Sequence, residues 1–199
     1  DMFITNDPYS CKGAISHLND WLMMMPIFHE GRLVSWAAMF GHMTDVGGKV
    51  PGSLPNGAKT IYEEGINVPP TKIYRGGKLA EEVLNIILHN SRMPEWNKSD
   101  FFAIVAGLRL AERRVRENIQ RFGVDKYISA MSDMLDRNRV AMKAIIEMVI
   151  PEGPHKAYFE DWIDDDAMGN GPYKIACSLW RDGEKAIFDF EGTDPVSYT

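Results

Sequence analysis

Helical periodicity is confined to the middle of this 199-residue chain, residues 78–150, where apolar side chains recur every three or four positions. The preceding residues 1–77 combine short apolar runs with Gly, Pro and Asn, and residues 151–199 return to strand-like alternation. Both sequence patterns are typical of strands joined by structured turns. The order of strands, helices and strands predicts an α+β fold, with three regions in a single domain.

Two long helices are expected in the middle region, after a first helix that stops before Pro94. Ser99 favours a helix N-terminus, and Gly123 favours the end of that helix after Phe122. A third helix is predicted over residues 126–149. Consecutive long helices often pack side by side, so we expect an antiparallel pair. In the second helix the apolar residues at helical spacing are Phe102, Val105, Ala106, Leu110 and Val115.

Hairpins are predicted in both strand-rich regions. Apolar residues 23–28 and 33–40 flank a polar segment, residues 29–32, which indicates a turn between two buried strands. Residues 173–180 and 184–190 bracket an Asp-Gly dipeptide, which is a strong hairpin signal.

Composition excludes several classes of function. The formal net charge is −6, with 22 basic and 28 acidic residues and no basic block, so no nucleic-acid partner is expected. No apolar run approaches the ~20 residues that span a bilayer, and we expect a cytoplasmic protein without a membrane partner. The cysteines, Cys11 and Cys177, lack Cys-x-x-Cys spacing, which argues against a disulfide framework or a cysteine zinc site. Both ends resemble interrupted strands, so a fragment of a larger subunit is expected.

Two His-x-x-Asp elements, His17 to Asp20 and His42 to Asp45, begin 25 residues apart in loop-like surroundings. Imidazole nitrogen and carboxylate oxygen together suit Zn, Mn or Fe(II) and leave positions open for water or substrate. Loops can bring both elements to one ion, which predicts a metal site. The alternative is that these are ordinary polar loop residues.

Asp7 lies in an Asn-Asp-Pro sequence that favours a tight turn. A structural turn is one interpretation. The other is that Asp7 lies beside the metal site, in the outer shell or as a proton acceptor.

Five segments of the chain form a recognisable series: 5–9 (Thr-Asn-Asp-Pro-Tyr), 17–20 (His-Leu-Asn-Asp), 42–48 (His-Met-Thr-Asp-Val-Gly-Gly), 51–55 (Pro-Gly-Ser-Leu-Pro) and 90–94 (Asn-Ser-Arg-Met-Pro). Taken together they resemble the hydantoinase B/oxoprolinase family, which includes N-methylhydantoinase B-type and acetone carboxylase alpha-type subunits. The resemblance covers residues 1–150 in order and at compatible spacing. This sequence departs from the common pattern at Asn19, where proline is usual, and at Met43, where a second histidine is usual.

The resemblance implies a divalent metal ion, Mn, Zn or Fe, on His17, Asp20 and His42, with a further carboxylate ligand from a segment upstream of residue 1. Asp45 then resembles an outer-shell residue that orients His42 or water. The implied partner is a hydantoinase A-like subunit that binds ATP, so the expected assembly is a hetero-oligomer. This chain carries no Gly-x-x-x-x-Gly-Lys-Ser/Thr loop for a nucleotide of its own.

The implied activity is ATP-dependent opening of a cyclic amide, a hydantoin or lactam, by metal-activated water. Asp45 or Asp7 would act in proton transfer during this reaction. Ketone carboxylation by an acetone or acetophenone carboxylase is the alternative, because both chemistries need a Lewis acid beside a developing oxyanion. A third possibility, from another class, is a metal-free assembly subunit. The fragment by itself is expected to be inactive.

Overall fold

The computed structural model describes residues 1–153, 157–166 and 168–195. The chain forms two compact units, Asp1–Tyr127 and Ile128–Thr199. Helices and separate antiparallel sheets are both present, which confirms the α+β class. No helix in the described part of the chain has the length and apolarity needed to cross a membrane.

The first unit is built on a five-stranded antiparallel sheet with the strand order β3-β2-β1-β4-β5. Its strands are β1 (Met2–Thr5), β2 (Asp20–His29), β3 (Arg32–His42), β4 (Thr71–Arg75) and β5 (Lys78–Leu79).

The predicted hairpin in this unit is confirmed, and its strands extend further than the apolar runs. Glu30 and Gly31 form the two-residue turn, and both have positive φ, as a turn matched to strand twist requires. In β2 every second residue from Trp21 to Ile27 is buried, which is the pattern of a strand with one face on the core. A bulge at Val34 interrupts the pairing of β3 with β2.

Helices α1 (Glu81–His89) and α2 (Pro94–Phe122) follow the sheet strands. The prediction that α2 starts at Ser99 is wrong. Pro94 occupies the first turn, where its missing N–H costs nothing, and Ser99 lies inside the helix with its Oγ donating to Glu95 O at 3.0 Å. The predicted end at Phe122 before Gly123 is confirmed.

The core lies between α1, α2 and the sheet. From α2 it receives the residues Phe101, Ile104, Val105 and Leu108, which recur at helical spacing. Phe102 and Leu110, which also fit helical spacing, are 40% and 43% exposed. From the strands the core receives chiefly Ile4, Trp21, Met23, Ile27 and Ile73.

The boundary between the two units falls inside α3 (Val124–Val149), which confirms the third predicted helix with a start two residues earlier. Antiparallel packing of the two long helices stays a prediction. The second unit also has a three-stranded antiparallel sheet, ordered β6 (Ala157–Ile163), β7 (Tyr173–Asp182) and β8 (Lys185–Asp189). The predicted hairpin joins β7 to β8 through Gly183 and Glu184, one residue later than expected.

Candidate metal centre

Three of the predicted site residues meet at one end of the five-stranded sheet. Asp20 Oδ2 lies 2.9 Å from His17 Nε2, and Asp20 Oδ1 lies 3.0 Å from His42 Nδ1. The two imidazole ring centroids are 5.1 Å apart. One carboxylate therefore contacts both imidazoles, each through a different oxygen.

Two local structures produce this arrangement. Asp20 begins β2 and His42 ends β3, and the hairpin register makes them direct cross-strand partners, so their side chains project on the same face. His17 and Asp20 are the first and fourth residues of a β-turn closed by Asp20 N donating to His17 O at 3.1 Å. The turn brings His17 back over the carboxylate that the hairpin places beside His42.

The donor set fits a divalent ion. The ligand atoms of His17, Asp20 and His42 lie within 4.8 Å of one another, which is near enough for one ion to join them after small side-chain movements. Two imidazoles with one carboxylate suit Zn, Mn or Fe(II). The exposed fraction is 10% for the Asp20 side chain, 27% for His17 and 48% for His42. The anion is thus shielded, while His42 leaves one side open to solvent, substrate or a further ligand.

The two departures from the common family pattern have structural roles away from the ligand atoms. Asn19 is fully buried, and its Nδ2 donates to Met43 O at 2.9 Å and Gly52 O at 3.0 Å. Met43 is 4% exposed and lines a small apolar space in the core with Trp21 and Phe101. The side chain at position 43 therefore belongs to the core in this chain.

Asp45 is 1% exposed, and its carboxylate accepts four hydrogen bonds within the described residues. Oδ1 accepts from Gly47 N and Arg92 N, both at 3.0 Å, and Oδ2 accepts from Gly52 N and Arg92 Nη1, both at 2.9 Å. Burial by itself raises the pKa of this carboxyl group, but the hydrogen bonds outweigh burial, and the pKa is lowered. A carboxylate with these contacts is an anchor for the loop that follows His42.

Arg92 and Ser53 complete that loop. Besides Asp45, the Arg92 guanidinium donates to Gly47 O at 3.0 Å and Val50 O at 3.1 Å. The buried Ser53 hydroxyl donates to Gly47 O at 2.6 Å and accepts from Val46 N at 2.8 Å. Side-chain hydrogen bonds therefore contribute much of what holds the loop after β3 in place.

Two glycines allow the neighbouring segment, residues 61–66, to pack directly against this loop. Both have positive φ, +76° at Gly48 and +148° at Gly65. A Cβ on Gly48 would lie 2.5 Å from Glu63 O, and a Cβ on Gly65 would lie 2.4 Å from Val46 O. Backbone meets backbone here, which glycine alone permits.

Asp7 follows β1 at the same end of the sheet as Asp20, because β1 and β2 are antiparallel partners. Its carboxylate accepts hydrogen bonds from Ser10 Oγ, from Tyr9 N at 3.0 Å and from Asn67 Nδ2 at 3.4 Å. The hydrogen bond from Ser10 is the main reason that the pKa of Asp7 is lowered. Two of these hydrogen bonds come from residues two and three positions later, so the Asp7 carboxylate stabilises the turn that follows β1.

Sequence reasoning overlooked the buried amides and the partners that hold this site together. Asn6 is fully buried, and its Nδ2 donates to Leu18 O at 2.7 Å and Ile66 O at 2.8 Å. Asn97 on α2 is 2% exposed and donates through Nδ2 to Asp45 O. Their partners lie far along the chain, so no local spacing marks them. The sequence marks these amides only as polar residues within otherwise apolar or loop segments.

Comparison with known proteins gives consistent matches. The Hydantoinase B/oxoprolinase family model matches residues 1–199. The caprolactamase subunit beta of Pseudomonas jessenii is 33% identical over 201 residues, which cover 100% of this chain and 33% of that protein. The 5-oxoprolinase of Dictyostelium discoideum is 32% identical over 200 residues, covering 100% of this chain and 15% of that protein.

Two solved structures share the fold. The crystal structure of an ATP-dependent caprolactamase from Pseudomonas jessenii aligns with a TM-score of 0.81 and 30% identity, over 94% of this chain and 31% of that chain. The nucleotide-free structure of acetone carboxylase aligns with a TM-score of 0.85 and 22% identity, over 97% of this chain and 26% of that one. This chain spans a third or less of the length of these relatives. Because the family match extends over all its residues, the chain belongs to the hydantoinase B/oxoprolinase family.

Proposed function

We propose that this chain is the metal-binding part of a catalytic subunit in an ATP-dependent enzyme that opens a cyclic amide, a hydantoin or a lactam. The observation that carries the proposal is the convergence of His17, Asp20 and His42 on one point. Relatives named caprolactamase and 5-oxoprolinase support the substrate class, because caprolactam and 5-oxoproline are both cyclic amides.

We propose distinct roles for these residues in binding a divalent ion, which would be Mn, Zn or Fe. Such an ion, when bound, supplies Lewis acidity that makes water a stronger nucleophile and stabilises a developing oxyanion. Asp20 would supply the negative charge, and the contacts of its two oxygens hold both imidazoles near one point before an ion binds. His42, about half exposed, borders the side from which substrate arrives. A further carboxylate ligand from outside these residues completes the proposed site.

The contacts of Asp45 and Asp7 favour positioning roles over proton transfer. Both carboxylates are engaged by hydrogen bonds, and both have a lowered pKa, which makes each a weaker base at neutral pH. We propose that Asp45 fixes the loop that begins directly after His42, and that Asp7 fixes the turn after β1. Under this proposal substrate or water exchanges protons with another group.

We place ATP on a hydantoinase A-like partner subunit in a hetero-oligomer. The caprolactamase relative is named as a beta subunit, and the related caprolactamase structure is described as ATP-dependent. The glycine-rich segment of this chain, residues 45–53, lacks the residues of a phosphate-binding loop. Gly48 instead packs against the backbone of Glu63 and Glu64, and Gly47 lies against the backbone of Asn90.

The test is the metal content of the complete subunit that carries these residues, in wild type and in three alanine variants. His17→Ala and His42→Ala each remove one donor. His29→Ala is the matched control, because His29 lies at the opposite end of the same hairpin. Elemental analysis is expected to find near-stoichiometric Mn, Zn or Fe in wild type and His29→Ala, and little in the other two.

Substrate assays with the partner and ATP then separate the two chemistries. Hydrolysis of lactams or hydantoins supports the amidohydrolase, whereas bicarbonate-dependent consumption of acetone or acetophenone supports the carboxylase. A well-folded wild type that binds no metal after reconstitution would overturn both and leave the assembly role.

A further inference from the structure

The backbone N–H and C=O of Leu18, a residue between two of the proposed metal ligands, both hydrogen-bond to side chains from elsewhere in the chain. Its N–H donates to Glu64 Oε2 at 3.2 Å, and its carbonyl accepts from Asn6 Nδ2 at 2.7 Å. Leu18 is a central residue of the turn that joins His17 to Asp20. A β-turn satisfies its first carbonyl and last N–H internally but leaves the central groups without partners.

Asn6 and Glu64, the two side chains that bond to Leu18, both depend on residues 64–68. Asn6 Oδ1 accepts from Val68 N at 2.7 Å, and its Nδ2 also donates to Ile66 O. Glu64 caps the 3-10 helix Ile61–Glu63, with its N–H donating to Ile61 O at 3.1 Å. Residues 64–68 therefore provide a support for the turn, separate from the hairpin that carries His42.

The support is coupled to the loop beyond His42. Ile66 N donates to Val46 O at 2.9 Å, and Lys49 N donates to Glu63 O at 2.7 Å. Gly65 lies against Val46 with no room for a side chain. The segment that holds Leu18 thus also touches the loop that leaves His42.

We propose that Glu64 is a positioning residue for the metal centre: by accepting the Leu18 N–H it fixes the turn that sets His17 against Asp20. Asn6, which is uncharged, donates a hydrogen bond to the Leu18 carbonyl and supports the same turn. The Leu18 side chain is buried and anchors the turn in the core. The inference rests on the proposed metal-binding function. It assigns to Glu64 a contribution to ligand geometry that precedes binding of the ion.

The adjacent glutamate provides a matched control. The Glu63 carboxylate pairs with Lys49 Nζ at 3.1 Å on the surface and makes no described hydrogen bond to the His17 turn. Glu64→Leu and Glu63→Leu therefore remove the same group one residue apart. Glu64→Gln keeps a carbonyl oxygen that accepts the Leu18 N–H while removing the charge.

The experiment measures the affinity of the complete subunit for Mn²⁺ and Zn²⁺ by competition with a chelator, together with amide hydrogen exchange at Leu18 in the metal-free protein. Glu64→Leu is expected to bind about 10–100-fold more weakly than wild type and to exchange the Leu18 amide faster. Glu64→Gln is expected to stay near wild type in both measurements, and Glu63→Leu to match wild type.

Equal affinity of Glu64→Leu and Glu63→Leu would overturn the inference while leaving the metal centre intact. An equal loss in Glu64→Gln and Glu64→Leu would also overturn it, because the charge and not the hydrogen bond would then matter. A wild type that binds neither ion would overturn the metal centre and this inference with it.

Discussion

Asp45→Asn is expected to destabilise the first unit by about 3–4 kcal/mol, even though it alters a single atom of the side chain. Asp45 is the most buried carboxylate of the site, at 1% exposure, and it joins the loop after β3 to the start of α2 through Arg92. The variant keeps the shape of the side chain, so the prediction isolates hydrogen bonding from packing.

The magnitude follows from the arrangement of donors. Each carboxylate oxygen of Asp45 accepts two hydrogen bonds, one from a glycine N–H and one from Arg92. Asparagine has one oxygen, so its NH₂ group must face two of these donors in either orientation. Hydrogen bonds to charged groups contribute about 1.5–3 kcal/mol each. The Arg92 side chain is 41% exposed, so the lower part of that range applies, and two lost bonds give about 3–4 kcal/mol.

Native-state hydrogen exchange of the β2 amides is the suitable assay, because a chain with two compact units does not guarantee a single unfolding transition. Asp100→Asn is the control, since Asp100 is exposed on α2 of the same unit. It is expected to change the free energy of unfolding by less than about 0.5 kcal/mol.

The reasoning would be refuted if Asp45→Asn lowered the free energy of unfolding by no more than about 1 kcal/mol beyond the Asp100→Asn control. Such a result would mean that the loop relaxes to satisfy the two donors with water, so that the Asp45 contacts seen in the folded state contribute little to stability.

Two further predictions concern this loop and the segment 61–66 that packs against it. Gly65→Ala is expected to cost about 3 kcal/mol or more, because its Cβ would lie 2.4 Å from Val46 O. Gly76→Ala, at φ +55° with open space around it, should cost about 1 kcal/mol; equal losses in urea unfolding would contradict this. Because the pKa of Asp45 is lowered from 3.8, its ionisation stabilises the fold above that pH and ceases to do so as pH falls through the lowered value. The stability gap between wild type and Asp45→Asn should therefore be full well above pH 3.8 and shrink as pH falls below 3.8 through the lowered pKa, and a gap independent of pH would contradict it.

Much of the fold was predictable because its signals are local. Apolar runs on either side of a polar turn located β2 and β3, period-two alternation located β7, and helical spacing located all three helices. The helix start was missed at Pro94 because a proline in the first turn and a serine cap further along are both valid start signals. Which apolar stripe of α2 faces the sheet was also beyond local information, since Phe101 and Phe102 are equally apolar and only the first is buried.

The supports of the site were not predictable from spacing. Asp45 was recognised as a site residue, but its role depends on Arg92, which lies 47 positions away. Glu64 contacts the His17 turn across 46 positions. Polar side chains like these are identified by what they bond to, and that information exists only once the chain has folded.

The meeting of Asp20 with His42 itself depends on a feature that the sequence does not announce. Beside the hairpin turn the register sets His29 opposite Arg32 and Phe28 opposite Leu33. Continued without interruption, that register would place Gly41 opposite Asp20, and His42 would project from the other face of the sheet. The bulge at Val34 adds one residue to β3 and restores the pairing of Asp20 with His42. No glycine or proline marks this position, so the ligand geometry follows from packing of the whole hairpin: β2 is held by its buried odd-numbered residues, and β3 has to adjust to it.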